Sequence, residues 1–578
     1  MLFFYFHVYL YENQFDKKMK IIEEKVITER TKNKYGQYFT PKIIADFMIE
    51  LADINQNSKI LEPSCGEGVF LKSLQEEGFE NIIAYEIDEE LVKKLNFENI
   101  ICESFISAKI NEKFDLIIGN PPYIRWKNIE EELKAELIKS ELWNRYFNSL
   151  CDYLYIFILK SIEVLAENGQ LIFICPEYWL NTTHSLSLRN YMVKNGYFEV
   201  IYHFNETPIF EGATVSVIVF KYVKSKNKIP FIDIIKYHKN KKITTEIIEQ
   251  IKERKEVDFF KVKQFEANKR WLLTDENEVL EIENFEKACQ ITQNNSTKNA
   301  INNDLFASLS ENKTDTKVIY STINDICDIG NGMVSGLDKA FQLDKKNDKQ
   351  TLETLSEIEK ESTVSVIKAK NLIPFTYNEI TPYIFVNEEN TKIIDEEELE
   401  NYYPNFYKKL KPLKEKLEKR YQYNRKINYW EWVFLRNYNL FNSEKPRIFV
   451  PCKERISNKN YFRFSFVEQG VFPTQDVTAL FLKENVKENI FYVLAFLNNP
   501  RVFNWLKNKG IIKGNIVEFS EKPISSIPFR KIDWKNQTEI ELHNQIVELT
   551  ELFILERKQE ILTEINQLFD VLLNSKID

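Results

Sequence analysis

Between Lys59 and Val223 the chain alternates short apolar runs with helix-like stretches, and this alternation limits the fold more than any other feature. "KILEPSCG" reads as a strand and turn, and "GVFLKSLQEEG" as a helix closed by Gly78. "NIIAYEID" is a strand, "EELVKKLNF" a helix, and "NIICES" and "FDLIIGN" are strands again. "YLYIFILKSIEVLAENG" reads as an apolar helix ending at Gly169. "QLIFICPEYWL" is a strand, "SLSLRNYMVKNG" a helix, and "FEVIYHFN" and "TVSVIVFKYV" are strands. Apolar runs without period-2 alternation suit strands covered on both faces. The pattern predicts an α/β, doubly wound, Rossmann-like sheet.

The full 578 residues are too many for one hydrophobic core, so further domains are expected. Residues 224–315 are charged, and "ITQNNSTKNAINNDLFASLSENKTDTK" is polar and turn-rich like a linker. Short β-like runs follow in "FQLDKK", "YIFVN", "PRIFVPCK", "YFRFSF" and "TALFLK". From Asn536 to Ser575 apolar residues recur at helical spacing, which predicts one packing helix. The expected division is an N-terminal extension over 1–30, an α/β domain over 31–225, a connecting segment over 226–315 and an α+β domain with a C-terminal helical segment over 316–578.

Seven scattered cysteines form no CxxC, which predicts free thiols in a reducing cytoplasm, and five isolated histidines suggest no metal site. No apolar run has the length of a membrane span. The first 18 residues lack a basic n-region and a cleavage site, so no signal peptide is expected, and Met19 is a second candidate start.

The chemistry is expected at strand ends, where doubly wound sheets bind ligands. In "LEPSCGEGVF", Gly66 and Gly68 let backbone approach a ligand closely. No GK[ST] follows, so this is no phosphate cradle. Glu62 instead places a carboxylate where a dinucleotide site would hold pyrophosphate, which suits a cationic amino-acid group. Glu86 closes the second strand, where an acid pairs with ribose hydroxyls. A nucleoside joined to an amino-acid moiety describes S-adenosyl-L-methionine.

The fourth strand ends in Asn120, Pro121, Pro122 and Tyr123. An exocyclic amino group on a base is a poor nucleophile, because its lone pair is delocalised into the ring. Two acceptors on its N–H bonds would free that pair, and the Asn120 side-chain oxygen and Pro121 carbonyl can serve. The prolines fix φ and hold that carbonyl in place. Tyr123 can stack on a flat heterocycle, worth roughly 1–3 kcal/mol per base.

"GQYFTP" (Gly36–Pro41), "LEPSCGEG", "YEID" and "NPPY" stand in the order and spacing of the adenine-N6 DNA methyltransferases, which this chain resembles. The resemblance implies that Thr40 contacts the cofactor and that Glu62, Pro63, Ser64 and Gly66 surround its amino acid. It places Glu86 on the ribose and Ile87 beside the adenine ring. The family's third strand ends in Asp-Phe, where this chain has Ser104 and Phe105 after Glu103. Phe105 keeps its packing role on the adenine, and Glu103 or Ser104 stands in for the aspartate. "PIFEGATVSVIVF" resembles the segment that stacks an aromatic on the second face of a flipped base, which nominates Phe210. Cofactor motifs first and a large C-terminal region after them is the gamma, TaqI-like arrangement, with a target recognition domain following the catalytic one. "GNGMVSGLDKAFQL", "VIKAKNLIPF", "PRIFVPCKERIS" and "IIKGNIVEFSEKPISSIPF" resemble that specificity domain.

The implied partner is double-stranded DNA. Net charge is −9, yet residues 401–470 hold 16 Lys and Arg against 6 Asp and Glu, a candidate phosphate-contacting island. Lys453, Arg455, Arg425, Lys426 and Arg436 are its foremost candidates. The stretch before Lys34 is too short for a nuclease, which leaves a cognate restriction endonuclease on a separate chain, or a solitary methylase, as the alternatives. RNA adenine or protein glutamine methylation with the same Asn-Pro-Pro-Tyr chemistry, and a non-catalytic DNA specificity subunit, are the rival readings.

Overall fold

Strand residues that are buried on both sides demand helices above and below them, and the first sheet has both. A computed structural model of the chain describes residues 38–95, 97–210, 216–239, 241–290, 321–387, 393, 395–423, 426–456, 459–513 and 515–575. Two units are present, Met1–Glu276 and Asn277–Asp578.

The first unit carries nine strands: β1 (Ile60–Glu62), β2 (Ile82–Glu86), β3 (Ile100–Cys102), β4 (Phe114–Gly119), β5 (Leu165–Pro176), β6 (Tyr197–His203), β7 (Val217–Val223), β8 (Phe231–Lys236) and β9 (Asp258–Lys263). They form one sheet in the order β3-β2-β1-β4-β5-β7-β6-β8-β9. β1 pairs in parallel with β2 on one side and β4 on the other. β7 is inserted antiparallel between β5 and β6. The strand order reverses between β1 and β4, so their carboxyl ends open the crevice where such sheets bind ligands.

Side chains alternate across the sheet. Ile60, Leu116 and Ile118 share a core with α1 (Lys42–Glu50) and α2 (Val69–Glu76). Leu61, Ile117 and Phe173 face the opposite core, built with α3 (Glu131–Lys139) and α4 (Tyr153–Val164). This is the expected doubly wound α/β arrangement.

Four elements differ from the sequence reading, the last of them at the C-terminus of the second unit. The apolar helix α4 stops at Val164 and not at Gly169. The Lys224 ammonium donates to the carbonyls of Ile162, Glu163 and Leu165, which ends the helix and frees Leu165 to start β5. Residues 226–276, expected to connect domains, instead add β8, β9 and the helix Thr245–Lys252 to the first unit. "FQLDKK" is no strand: it follows the helical turn Asp338–Phe341, and only Gln342 bridges to Tyr383.

The second unit is α+β. One antiparallel sheet orders Cys327–Asn331, Val477–Leu482, Arg447–Pro451 and Ser465–Val467. Another orders Thr381–Ile384, Thr363–Ile367 and Val471–Pro473. A third joins Lys453–Arg455, Ile516–Glu518 and Ile511–Lys513. The expected C-terminal helix is two helices, Gln537–Glu556 and Gln559–Asn574, because Arg557 adopts φ +58° and breaks the ladder. Among the described residues, no helix is long and apolar enough to cross a membrane. Residues 1–37, the linker from 291 to 320 and Arg425 lie outside the described residues.

Candidate active site

The chain leaves β1 at Glu62 and turns into α2 through Pro63, Ser64, Cys65 and Gly66. Gly66 and Gly68 sit at φ +54° and +72°, in the left-handed region that favours glycine. This turn lets the Gly66 N–H donate to Glu86 at 2.8 Å, while the Asp88 N–H donates to the other Glu86 oxygen at 2.9 Å. The carboxylate ending β2 thus organises the loop after β1.

A cleft of about 860 Å³, part of it open to solvent, lies over these strand ends. Thr40, Glu62, Pro63, Ser64 and Gly66 line it, as do Glu86, Ile87, Ser104, Phe105 and Asn120. The nine residues nominated for the cofactor are therefore brought together with Asn120. Glu62 is 1% exposed, and its Oε2 meets no hydrogen-bond partner among the described residues. Burial, with the nearby Glu86 charge, pushes its carboxyl well above the usual range. Burial also raises Glu86, partly offset by backbone N–H groups of Asp88, Gly66 and Ile87. A buried carboxylate oxygen without a donor among the described residues, beside a second acid, is suited to a cationic group. The ammonium of an amino-acid moiety would supply it, and Glu86 still offers acceptors to hydroxyls.

Where the aspartate of related enzymes is missing, the Ser104 hydroxyl donates to Glu136 of α3. Glu103 remains as the carboxylate lining that end of the cleft. Phe105 is buried, with Phe157 and Tyr85 rings at 5.6 and 5.8 Å.

At the end of β4 the Asn120 amide is oriented by its neighbours. Its Nδ2 donates to the Tyr38 carbonyl at 2.7 Å and to Thr40 Oγ1 at 3.1 Å. A carbonyl can only accept, so the nitrogen must face it and Oδ1 must point the other way. That oxygen accepts from the Tyr123 hydroxyl at 2.5 Å. Burial raises the Tyr123 phenol further above its usual value, so it stays a donor. Pro122 lines the cleft, and Pro121 is buried. Among the described residues, no hydrogen bond reaches the Pro121 carbonyl.

Phe210 belongs to the loop between β6 and β7 and is 5% exposed. Glu177, just past β5, ties both ends of this loop: Ser216 Oγ donates to one oxygen at 2.9 Å, and His203 Nε2 lies 2.5 Å from the other. Burial opposes the Glu177 charge, but the His203 ring, the Ser216 hydroxyl and Lys236 together hold its carboxyl below the usual range. Sequence reading missed Glu177, Glu136 and the aromatic pair Tyr38–Phe39. Glu177 stood in "QLIFICPEYWL", read only as a strand, and Tyr38–Phe39 in "GQYFTP", from which Thr40 alone was taken.

The basic island resolves differently. Arg436 is half-buried, and its Nε donates to the Gly332 carbonyl at 2.6 Å. Lys453 and Arg455 are exposed on either side of the buried Glu454, and Lys426 is exposed.

A doubly wound sheet with antiparallel β7, and acidic ends on β1 and β2 around a cleft suited to a nucleoside and an amino acid, define an S-adenosyl-L-methionine-dependent methyltransferase. Comparison with known proteins narrows the class. Residues 44–210 match the family described as Eco57I restriction-modification methylase. The chain is 44% identical over 538 residues to the Type II methyltransferase M.HindII of Haemophilus influenzae, covering 93% of this chain and 97% of that protein. It is 42% identical over 538 residues to M.HincII of the same species, with the same coverage. The solved structure of the Type IIL restriction-modification enzyme MmeI in complex with DNA shares the fold, with a TM-score of 0.58 and 11% identity over 97% of this chain and 75% of that one. The chain belongs to the Type II methyltransferases of restriction-modification systems, and it is a DNA methyltransferase that takes its methyl group from S-adenosyl-L-methionine.

Proposed function

We propose that the enzyme methylates the N6 amino group of one adenine, swung out of duplex DNA at a defined sequence. The carrying observation is the Asn120 amide, whose Nδ2 donates to Tyr38 and Thr40, so that Oδ1 is left as the acceptor, held here by the Tyr123 hydroxyl. Such an acceptor suits an amino group and repels a carbonyl. The Pro121 carbonyl is the second acceptor, and the two draw the amine toward tetrahedral geometry. Tyr123 and Phe210 take the faces of the extruded base, which offsets the few kcal/mol of unstacking.

S-adenosyl-L-methionine supplies a methyl group on a sulfonium. Glu62 holds its ammonium, with Pro63, Ser64 and Gly66 around it, and Thr40 covers the methionine portion. Glu86 takes the ribose hydroxyls, and Ile87 and Phe105 flank the adenine. Glu103 takes the place of the absent aspartate, since the Ser104 hydroxyl is spent on Glu136. What remains for catalysis is alignment of amine, methyl and sulfur. The second unit reads the duplex as a target recognition domain, and a separate endonuclease cuts the unmodified sequence.

The test is expression in a host lacking adenine methylation, followed by modification-sensitive sequencing of its DNA. N6-methyladenine in one motif is expected, with at least a hundredfold loss of methyl transfer in Asn120→Ala. No modified base from a folded, cofactor-binding protein would sink the DNA-adenine reading and favour RNA or protein glutamine.

A further inference from the structure

The slot assigned to the flipped base already contains a ring. The Tyr38 ring stacks on Tyr123 with centroids 5.2 Å apart and planes 16° from parallel. Its centroid also lies 5.6 Å from that of Phe210, tilted by 43°. Tyr38 therefore touches both side chains that the proposed reaction gives to the target base. The polar contact is occupied as well, since the Tyr123 hydroxyl donates to the Asn120 oxygen that an adenine amino group would need.

We propose that Tyr38 is a displaceable stand-in for the target base: it fills the slot in the free enzyme and leaves as the base enters. This rests on the adenine reading above and adds a residue that sets the cost of base capture. An aromatic slot left open at a strand end would expose ring faces to water. Tyr38 covers the Tyr123 face in the stacked geometry that a base would adopt, and meets the Phe210 ring at a tilt. An entering adenine then exchanges one ring contact for another and competes with Tyr123 for the Asn120 oxygen. Net gain on capture comes from what the tyrosine ring cannot offer, namely an amino group with two N–H donors facing two acceptors. A base without that amino group meets an occupied slot and gains little by displacing the ring. The occupant thus selects for chemistry as well as shape.

The same segment explains how Tyr38 can move without dismantling the site. Asn120 is held by the Tyr38 backbone carbonyl and by Thr40, not by the Tyr38 ring. Rotation of the side chain leaves those bonds in place.

The experiment compares two duplexes carrying the motif mapped by sequencing, one with adenine at the target position and one abasic there. Tyr38→Ala is expected to tighten binding of the adenine duplex by about three- to tenfold, the order of one aromatic pair contact, and to leave the abasic duplex within twofold. Tyr38→Phe keeps the ring and is expected to bind both as the wild type does. Cofactor affinity, measured on each variant, reports that the fold is intact. If Tyr38→Ala weakens the adenine duplex, or leaves it unchanged with cofactor binding intact, the ring is a fixed wall and the proposal fails. A wild-type enzyme that leaves every adenine duplex unmethylated instead overturns the underlying reading.

Discussion

The acidic strand ends of the first unit and the basic island of the second both stand out in the sequence by charge, and folding treats them in opposite ways. Glu62 is carried into the interior with an oxygen that meets no donor among the described residues. In the island, most cations find partners within the unit. Arg447 is fully buried and donates to the carbonyls of Phe441, Val471, Ser443 and Lys445. Arg420 donates to those of Leu417, Ser335, Glu431 and Tyr429. Glu396 pairs with Lys411 and Lys414, and Glu454 with Lys459 and Arg463. A charge marks a ligand site when the fold removes its water and supplies no partner. An excess of one sign along the chain does not, because the fold can consume it.

The contrast can be broken at either end. Arg447→Ala carries the largest expected effect, about 3 kcal/mol or more of lost stability, since it strands buried carbonyls and opens a cavity. Urea unfolding of the full chain measures it, and a loss under about 1 kcal/mol would show that the arginine is not structural.

Glu62→Gln is expected to weaken cofactor binding roughly 10- to 100-fold by calorimetry. The wild-type carboxyl is raised above its ordinary 4.5, so below that elevated value it is neutral and attracts no cation. Wild-type affinity should therefore rise with pH through the elevated value, with a proton released on binding, while the glutamine variant stays flat. The sign reverses for the cofactor-free protein. Its native state binds more protons than the unfolded chain, so stability falls as pH rises through the same interval. Glu62→Gln should then melt higher than the wild type near neutral pH, and a lower melting temperature would contradict the orphaned charge.

Glu177 sharpens the comparison, because it is a buried acid that does have partners. Its depressed carboxyl contributes stability above the ordinary 4.5, and that contribution is lost as pH falls through its folded value. Glu177→Gln should cost about 1 kcal/mol near neutral pH and flatten the acid limb of the stability curve. Base capture should weaken in the same variant, with cofactor affinity unchanged. The smallest effects belong to the exposed lysines. Lys453→Ala and Lys426→Ala are each expected to weaken duplex binding a few fold at every sequence and to lower the salt dependence by about one counterion. A loss confined to one base position would mark either residue as a base reader.

Much of the first unit was legible. Strands β1 to β7 fall on the apolar runs, and the nominated cofactor residues meet in one cleft. The misses share a cause. α4 ends early because of Lys224, which lies far along the chain from the carbonyls it caps. The C-terminal helix breaks at an arginine in a left-handed conformation, where local propensity gives no warning. β8 and β9 extend a sheet whose edge is made elsewhere, so their short, charged runs looked like a connection.

By itself the sequence determined the order of strands and helices, and it determined which strand ends carry acids, an amide and prolines. Those properties follow from hydrophobic periodicity and from residues adjacent in the chain. The tertiary structure alone decided which charges are satisfied and which way the Asn120 amide faces. It also decided that Tyr38 lies against Tyr123 and Phe210. These depend on partners brought together from distant segments, and desolvation is strong only once that packing has excluded water.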